Sequence, residues 1–498
     1  VLIHLTNRVL IPVARLTPED EQALQDLFTH TNPGYLKKRA MNLPVGNETP
    51  LIRTWRHDGP YLSVPRGGMY KVRKYLQGAN HIFRVQDERT EGSRAVEDFA
   101  FWNKVLLVPT LRPYQAAAIE TVCTRQNCLI RAPTGSGKTS IAIGLIERLK
   151  LPTLVVVWTG ALFAQWIDRI EAELSISRRQ IGVIKGSKWK LAPITVAMQQ
   201  SLAAHPDMTE DASRYFGCVI ADEVQRFAAR TLFDCIDPFA AKYRLGVSAN
   251  ETRADEKECL IYDLFGQVVV DIKKADLIRD KVIHDVEIAV IPTDFRFTEK
   301  NRFGMRDFTK MTAAMSVDSA RNQLATDMIK AEVAEGHQFL VLSHRVEHCQ
   351  TLDRELTMGG VRSGVMTGDT GAMFEDTKRG IIDKSVSVAV GTIQAIGTGI
   401  DLPAVSRGFI VTPLTQPQLF GQVCGRICRI SEGKYNARLY YLWDRHVYGK
   451  KALEEIARHN TSVIVWNGAE WQEARAYIQA MTPNRKKEDS WTNETLSK

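Results

Sequence analysis

Residues Arg131-Ala132-Pro133-Thr134-Gly135-Ser136-Gly137-Lys138-Thr139 constrain the fold more than any other stretch. A short apolar run, Cys128-Leu129-Ile130, precedes them, and an apolar-periodic segment from Ile141 to Ile146 follows. Strand, glycine loop and helix in that order make a cradle for phosphate. Gly135 and Gly137 let the backbone bend so that successive N–H groups face inward, and the helix N-terminus adds its dipole. Pro133, Thr134, Gly135, Ser136, Gly137, Lys138 and Thr139 are therefore the expected nucleotide contacts. Lys138 would reach the β- and γ-phosphates, and Thr139 would ligate Mg²⁺. Ala132 stands where the general pattern has its first glycine. A chance glycine turn would not need Gly-Lys-Thr and both flanks at once.

Such a loop belongs to an α/β fold, and the remaining pattern agrees. Between residues 106 and 285, apolar β-rich runs at 153–158, 194–198, 218–221 and 244–248 alternate with helical patterns, one of them at 161–174. Between 286 and 449 the alternation resumes, with strands expected at 339–343, 363–367, 386–391, 408–411 and 437–442. Helical patterns at 319–335, 346–356, 373–382 and 418–429 fill the gaps. The expected fold is α/β: two tandem RecA-like doubly wound parallel-sheet domains preceded by a small α+β N-terminal domain. The expected boundaries are 1–105, 106–285, 286–449, and a helical extension with a polar tail over 450–498. Residues 1–11 read as a strand and not as a signal peptide, and 87–98 reads as a polar, acidic linker.

A chain of 498 residues exceeds one ordinary core. Its 44% hydrophobic and 24% charged content are those of a globular protein, and no apolar run approaches the ~20 residues that cross a bilayer. The eight cysteines lack metal-site spacing and read as buried thiols of a reducing cytoplasm. A net charge of +8 permits a polyanionic partner. Basic residues crowd the N-terminal segment: Lys37, Lys38, Arg39, Arg53, Arg56, Arg66, Lys71, Arg73 and Lys74, with Tyr35, Trp55, Tyr61, Tyr70 and Tyr75 between them. Cations that neutralise phosphates beside rings that stack describe a nucleic-acid surface. A solvated basic face over core aromatics fits the same composition equally well.

The next chemical signal is Gly217-Cys218-Val219-Ile220-Ala221-Asp222-Glu223-Val224-Gln225. A strand ending in adjacent carboxylates places both where ligands bind in such sheets. Asp222 would hold the Mg²⁺, and Glu223 would orient and deprotonate the attacking water.

With these residues in order, the chain resembles a superfamily 2 helicase or translocase across residues 111–429. Leu111-Arg112-Pro113-Tyr114-Gln115 resembles the family's adenine-reading motif, which implies that Gln115 contacts the base. Thr159 with Gln165-Trp166, and Gln199, resemble its contacts to the tracking strand. Gly246-Val247-Ser248-Ala249-Asn250 resembles the motif that couples hydrolysis to movement, with Asn250 where Thr is common. The tetrad reads Asp-Glu-Val-Gln, and Gln225 is placed to hydrogen-bond across to that motif. Thr392, Gly399 and Asp401 resemble the motif touching both nucleic acid and nucleotide. Gln422, Arg426 and Arg429 fall at i, i+4 and i+7, one face of a helix, and resemble the arginine-finger motif.

The Leu-Arg-Pro-Tyr-Gln start, the Ala-Pro-Thr-Gly-Ser-Gly-Lys-Thr loop and the Arg321-Asn322 pair resemble the UvsW-like phage branch-migration helicases and the XPB- and RecG-type duplex DNA motors. That resemblance implies ATP and Mg²⁺ as cofactors and duplex or branched DNA as partner. It implies neither a membrane nor an obligate protein partner, and a cytoplasmic setting, that of an infected bacterium on the phage resemblance. The expected activity is remodelling of forks, D-loops or four-way junctions. The alternatives are the motor subunit of a restriction or defence system, an RNA helicase, and a nucleotide-gated duplex clamp. His344-Arg345-Val346-Glu347-His348 fits an inverted zinc-protease spacing, but it follows a strand where the second half begins its own strand-to-helix turn, and metal binding is not expected.

Overall fold

The computed structural model describes residues 1–481 apart from 94–99, 228, 250–252, 254, 302–303, 305, 369–370, 398–401, 403, 414–416, 432 and 461. The chain packs as two compact units, Val1–Leu277 and Ile278–Lys498. Each contains an eight-stranded α/β sheet.

In the first unit the sheet runs in the order Lys188–Lys190, Gly182–Lys185, Ile194–Met198, Thr153–Val157, Cys218–Asp222, Tyr243–Ser248, Asn127–Arg131, Val268–Asp271. All neighbours are parallel except the edge hairpin Gly182–Lys185 with Lys188–Lys190. Every residue of Thr153–Val157 and Cys218–Asp222 is buried. Continuous burial is the mark of parallel strands covered by helices on both faces, and it explains why these runs are apolar without alternation. In the second unit the order is Ser363–Met366, Val388–Thr392, Phe339–Ser343, Arg407–Ile410, Ala437–Asp444, Val286–Thr293, Val463–Trp466, Trp471–Glu473. Only the last pair is antiparallel. Both sheets are of the RecA-like doubly wound kind.

A five-stranded sheet forms the N-terminal part of the first unit: Arg56–Asp58, Tyr61–Pro65, Arg8–Pro12, Leu2–Leu5 and Arg84–Asp87, with only the last pair parallel. Its core is Ile3, Val9, Ile11, Leu24, Phe28, Leu62, Val64, Val72 and Leu76, all without solvent exposure. The helix Pro18–Asp26 starts with a reciprocal capping box between Thr17 and Asp20.

Three sequence expectations change here. Residues 1–11 form two strands, not one, because the chain turns at Thr6 and Asn7, where Thr6 N–H donates to Arg8 O at 2.8 Å. The segment expected as a linker is docked as far as it is described. Thr90 pairs with Ala241 and Gly92 with Phe216, and Ser93 N–H donates to Tyr215 O at 3.0 Å. The C-terminal segment is not wholly helical: after the helix Arg445–His459, the hairpin Val463–Trp466 and Trp471–Glu473 extends the second sheet, with the Trp466 and Trp471 rings 5.3 Å apart.

The N-terminal sheet is fastened to its neighbour by buried charge. Arg8, 3% exposed, donates to Asp237 at 2.5 Å and to Thr54 O at 2.6 Å. Arg244, on the strand Tyr243–Ser248, donates back to Asn7 O at 3.2 Å and to Phe239 O at 2.7 Å. Burial pulls its guanidinium down to about 10. Asp263 is the acceptor for three N-terminal groups: His30 at 2.7 Å, the Thr54 hydroxyl at 2.7 Å and Lys71 at 2.8 Å. Burial would raise this carboxyl, but His30 and Lys71 hold it below the usual carboxylate range. At Gly67 the backbones meet so closely that a Cβ would sit 2.4 Å from Gly266 N and 2.6 Å from Asp263 O.

Two of the expected nucleic-acid contacts are therefore corrected. Arg66 is 2% exposed and donates to Asn127 Oδ1 at 2.9 Å and to Ala241 O at 2.6 Å. Lys71 belongs to Asp263. Both are internal ties, because a cation reaching the neighbouring sheet finds carboxylate or carbonyl acceptors already in place.

Asp263→Ala removes the one acceptor shared by His30, Thr54 and Lys71. It should lower unfolding stability by about 3 kcal/mol, the low end for breaking a buried ion pair, because Lys71 and His30 keep some solvent. Urea denaturation followed by tryptophan fluorescence measures it, and a midpoint unchanged from the parent protein would contradict the anchoring role.

Candidate active site

Strand order brings the motif residues of the first unit together. Asn127–Arg131, which leads into the glycine loop, lies beside Tyr243–Ser248, and that strand lies beside Cys218–Asp222. The register pairs Arg131 with Ser248 and Val247 with Asp222, so all three strands end at one level. Ala132 N–H donates to Ser248 O at 2.9 Å and starts the loop there.

The loop is fixed from one side by the helix Pro113–Arg125. Tyr114 Oη donates to Ser136 O at 2.6 Å, and Gln115 Nε2 donates to the same oxygen at 3.3 Å. Gln115 is 4% exposed, and its Oε1 accepts from Arg112 N–H at 2.9 Å. Gly137 has φ +79° and lies so close to Gln115 that a Cβ would approach Nε2 to 2.3 Å. Gly135 is also left-handed, at φ 89°. Ser136 is fully buried in the loop, and its hydroxyl makes no hydrogen bond.

Across from the loop, Lys138 Nζ donates to Glu223 Oε1 at 2.7 Å. Gln225 Nε2 donates to the other oxygen, Glu223 Oε2, at 2.5 Å, and Ser248 Oγ donates to Gln225 Oε1 at 2.6 Å. The expected link from the Asp-Glu-Val-Gln tetrad to the Gly-Val-Ser strand is thus one continuous hydrogen-bonded path. Glu223 takes φ 54°, a left-handed backbone that costs a non-glycine residue about 1–2 kcal/mol. Strain of this kind is retained where surrounding contacts over-determine it.

The two carboxyls are driven apart. Burial, reinforced by the charge of Glu223, pushes Asp222 up to about 6, against Lys138 and the Trp166 indole N–H, which donates to Asp222 Oδ2 at 2.9 Å. Burial also opposes ionisation of Glu223, but the charge and hydrogen bond of Lys138, with Gln225, outweigh it and hold that carboxyl below its ordinary value. Adjacent carboxyls pushed in opposite directions take different roles in acid–base chemistry. An ionised Glu223 can orient and polarise a water. A buried Asp222 that resists ionisation gains most from a divalent cation, so Asp222 with the half-buried Thr139 fits Mg²⁺.

The other sequence candidates divide. Thr159 caps the helix Gly160–Glu173, accepting from Leu162 N–H at 3.3 Å, and Gln165 is half-buried on that helix. Gln199 follows the strand Ile194–Met198, is 6% exposed, and has an Oε1 without a hydrogen bond. Thr392 ends the strand Val388–Thr392, is 6% exposed, and accepts from Ala395 N–H at 3.3 Å. Asn250, Gly399 and Asp401, and the side chain of Gln422, lie outside the described residues. Arg426 is on the helix Pro417–Ile427, but Arg429 is not. The helix ends at Ile427, Cys428 N–H makes its last bond to Cys424 O, and Arg429 bridges to Ile283. The i+7 spacing therefore does not place Arg429 on the face of Arg426.

Among the exposed N-terminal cations, Lys37 pairs with Glu256 and Lys38 with Glu48. Arg39, Arg53, Arg56, Arg73 and Lys74 are exposed and make no ion pair among the described residues. Arg53 and Arg56 line a groove of about 840 Å³ together with Trp55 and Lys257.

Arg321 and Asn322 anchor buried networks in the second unit. Arg321 pairs with Asp444 at 2.8 Å, and Asp444 also accepts from the Thr293 hydroxyl at 2.5 Å. Asn322 Oδ1 lies 3.0 Å from His348 Nε2, whose Nδ1 lies 2.9 Å from Ser343 Oγ. Burial, then Arg321, pulls His348 down to about 3. Both its nitrogens are engaged while Glu347 is exposed, so the His-x-x-Glu-His spacing forms no metal site.

Trp166 is the functional residue whose role the sequence did not reveal. It sits in a motif that resembles a strand-gripping contact, yet it is 1% exposed and supports Asp222. An indole that reaches a strand-end carboxylate from a helix far away in sequence leaves no spacing signal.

The family described as "Type III restriction enzyme, res subunit" matches residues 109–253, and "Helicase conserved C-terminal domain" matches residues 320–431. The chain is 23% identical over 349 residues to the "DNA 3'-5' helicase XPB" of Kineococcus radiotolerans, an alignment covering 67% of this chain and 60% of that protein. The chain thus spans about three-fifths of the length of that relative. Among solved structures, T4 UvsW is similar at 16% identity, covering 93% of this chain and 98% of that one, with a TM-score of 0.43. An HsdR subunit fragment of a type I restriction enzyme from Vibrio vulnificus shares the fold, at 15% identity and a TM-score of 0.52, covering 90% and 98%. Each of the two RecA-like sheets thus carries one matched domain, a restriction-type "res subunit" domain in the first unit and a "Helicase conserved C-terminal domain" in the second.

Proposed function

We propose that this chain is an ATP-driven motor on DNA that uses Mg²⁺·ATP hydrolysis to translocate along, unwind or remodel duplex or branched DNA. The path Lys138–Glu223–Gln225–Ser248 carries the reading. It joins a phosphate-loop cation, a water-orienting carboxylate and the strand of the coupling motif, so loss of a γ-phosphate at Lys138 is felt at Ser248. In this reading Lys138 leaves Glu223 for the β- and γ-phosphates, Thr139 and Asp222 hold the metal, and Gln115 braces the loop beside the base. Arg426 and Arg429 are proposed as γ-phosphate partners on the resemblance of their motif. The N-terminal part engages duplex DNA through Arg53, Arg56 and their groove, with Trp55 beside them. The XPB-named relative supports a DNA substrate, and preference for branched DNA rests on the resemblance to UvsW-like motors. The printed description of the first matched domain favours a second reading, the motor subunit of a restriction system. ATP hydrolysis and strand displacement on a four-way junction, a fork and linear duplex separate the two. Junction-stimulated turnover with displacement supports remodelling, and stimulation by unbranched duplex without displacement supports the restriction motor.

Lys138→Ala should abolish hydrolysis, and Glu223→Gln should retain nucleotide binding while slowing turnover by about 10²–10⁴-fold, the usual worth of a positioned general base. Normal single-turnover rates for Glu223→Gln would remove Glu223 from that role.

Asp222 must ionise to take the metal, so hydrolysis at limiting Mg²⁺ should fall as pH drops through about 6. Trp166→Phe deletes a hydrogen bond that favours the ionised form. It should move that acid limb upward by up to about one pH unit, because one unit corresponds to about 1.4 kcal/mol, the worth of one hydrogen bond to a charged group. A pH–rate profile with an unmoved acid limb would contradict the Trp166 assignment.

Replacing Arg53 and Arg56 together by Ala should weaken duplex binding and reduce the slope of log K against log salt by about two, one per lost phosphate contact. Fluorescence anisotropy across a salt series reads this directly, and an unaltered slope would take the groove out of the DNA interface.

A further inference from the structure

The second unit carries a cavity of about 280 Å³ lined by Arg362, Lys384, Lys434, Ser387 and Ser406. Arg362, Ser387 and Ser406 each immediately precede a parallel strand: Ser363–Met366, Val388–Thr392 and Arg407–Ile410. The cavity therefore opens at the N-terminal edge of the sheet, the edge opposite Thr392 and the strand ends that carry the helicase motifs. We propose that it is a second phosphate-binding site, which takes the phosphate of a nucleotide or of a nucleic-acid strand.

Three of the described residues that line it, Arg362, Lys384 and Lys434, are cations. Arg362 and Lys384 are exposed and make no ion pair among the described residues. Lys434 is 7% exposed and donates to Val405 O at 2.7 Å. Burial pulls its ammonium down to about 8.

The donors are set in advance. Arg407 Nη2 donates to His337 Nε2 at 2.7 Å, so the proton of the neutral ring is on Nδ1, which lies 3.0 Å from Ser406 Oγ. Burial, with the Arg407 charge, keeps His337 below its ordinary value. The Ser406 oxygen thus accepts from His337, and its own O–H is left to donate. Glu332, whose carboxylate lies with that of Glu335 near the His337 ring, is held by Arg407 at 2.5 Å and by Arg438 at 3.3 Å.

Backbone strain points the same way. Lys384 has φ 64°, unusual for a residue with a side chain. The turn that carries it is clamped by Gln338, whose amide donates to Ile381 O at 2.8 Å and Val386 O at 3.0 Å. Tyr435, 91% exposed on the rim, offers a ring on which a base attached to the bound phosphate can stack.

The phosphate loop also binds phosphate, so the test uses full-length Lys138→Ala protein. Isothermal titration with pyrophosphate should show one site per chain. Adding Arg362→Ala and Lys384→Ala together should weaken it by at least about tenfold, since both supply charge-assisted contacts from exposed positions, without lowering the melting temperature. Short oligonucleotides with and without a 5′-phosphate identify the source. Equal losses for both mark a backbone phosphate, whereas a loss confined to pyrophosphate and the 5′-phosphorylated strand marks a terminal or free one, and either supports the site. No pyrophosphate binding in the Lys138→Ala protein, or an affinity unchanged by the double substitution, overturns it.

Discussion

The ion pair between Lys138 and Glu223 is the contact that ties the first unit's motif residues together. It joins the glycine loop of one strand to the end of a strand two places away, and Gln225 and Ser248 complete the link through the strand between them. A glutamine in the fourth place of the tetrad suits that relay. Its amide is at once a donor to Glu223 and an acceptor from Ser248, and it does not titrate. A histidine could bridge the same gap, but its charge would change near neutrality and alter the field on Glu223. The left-handed backbone at Glu223, φ 54°, is held by the same contacts, Lys138 on one carboxylate oxygen and Gln225 on the other.

The same economy of charge explains the N-terminal sheet. Its basic composition serves two purposes that no count of Lys and Arg could separate. Arg8, Arg66 and Lys71 hold the sheet against its neighbour, where carbonyls, Asp237 and Asp263 meet them. Arg39, Arg53, Arg56, Arg73 and Lys74 remain at the surface. Removing the whole N-terminal part would uncover Asp237, Arg244 and Asp263 together, and each uncompensated buried charge costs several kcal/mol. The N-terminal sheet is thus part of the fold of the first unit.

How much of this was legible in the sequence follows from the physics of each element. Strands such as Thr153–Val157 and Phe339–Ser343 were plain because burial on both faces demands unbroken apolar runs. The glycine loop was plain because backbone geometry allows few residues there. Gln225 was legible as a link because an amide after a carboxylate has few other tasks. The hairpin over Val463–Trp466 was hidden because helices flank it and an edge strand needs only a short apolar run. Arg429 was misplaced on a helical face because spacing argues only while the helix continues, and nothing in the residues themselves announces its end at Ile427. Trp166 and Arg66 were misread for a shared reason: their partners, Asp222 and Ala241, are distant in sequence, and composition does not record who meets whom.

In the second unit the two ends of the sheet handle buried polarity in opposite ways. At the C-terminal ends, Asp444 accepts from both Arg321 and Thr293, and His348 lies between Asn322 and Ser343, so cation, carboxylate, imidazole and hydroxyl answer one another inside the protein. Such a network fixes strand ends and keeps both nitrogens of His348 engaged. At the N-terminal ends, Glu332 answers Arg407, and Arg362 and Lys384 face the cavity from exposed positions without an ion pair among the described residues. Buried or clustered charge of one sign is costly to a fold and is offset only when a counter-charge arrives. A phosphate held between Arg362 and Lys384 would supply counter-charge at that second edge, as Asp444 does for Arg321 at the first.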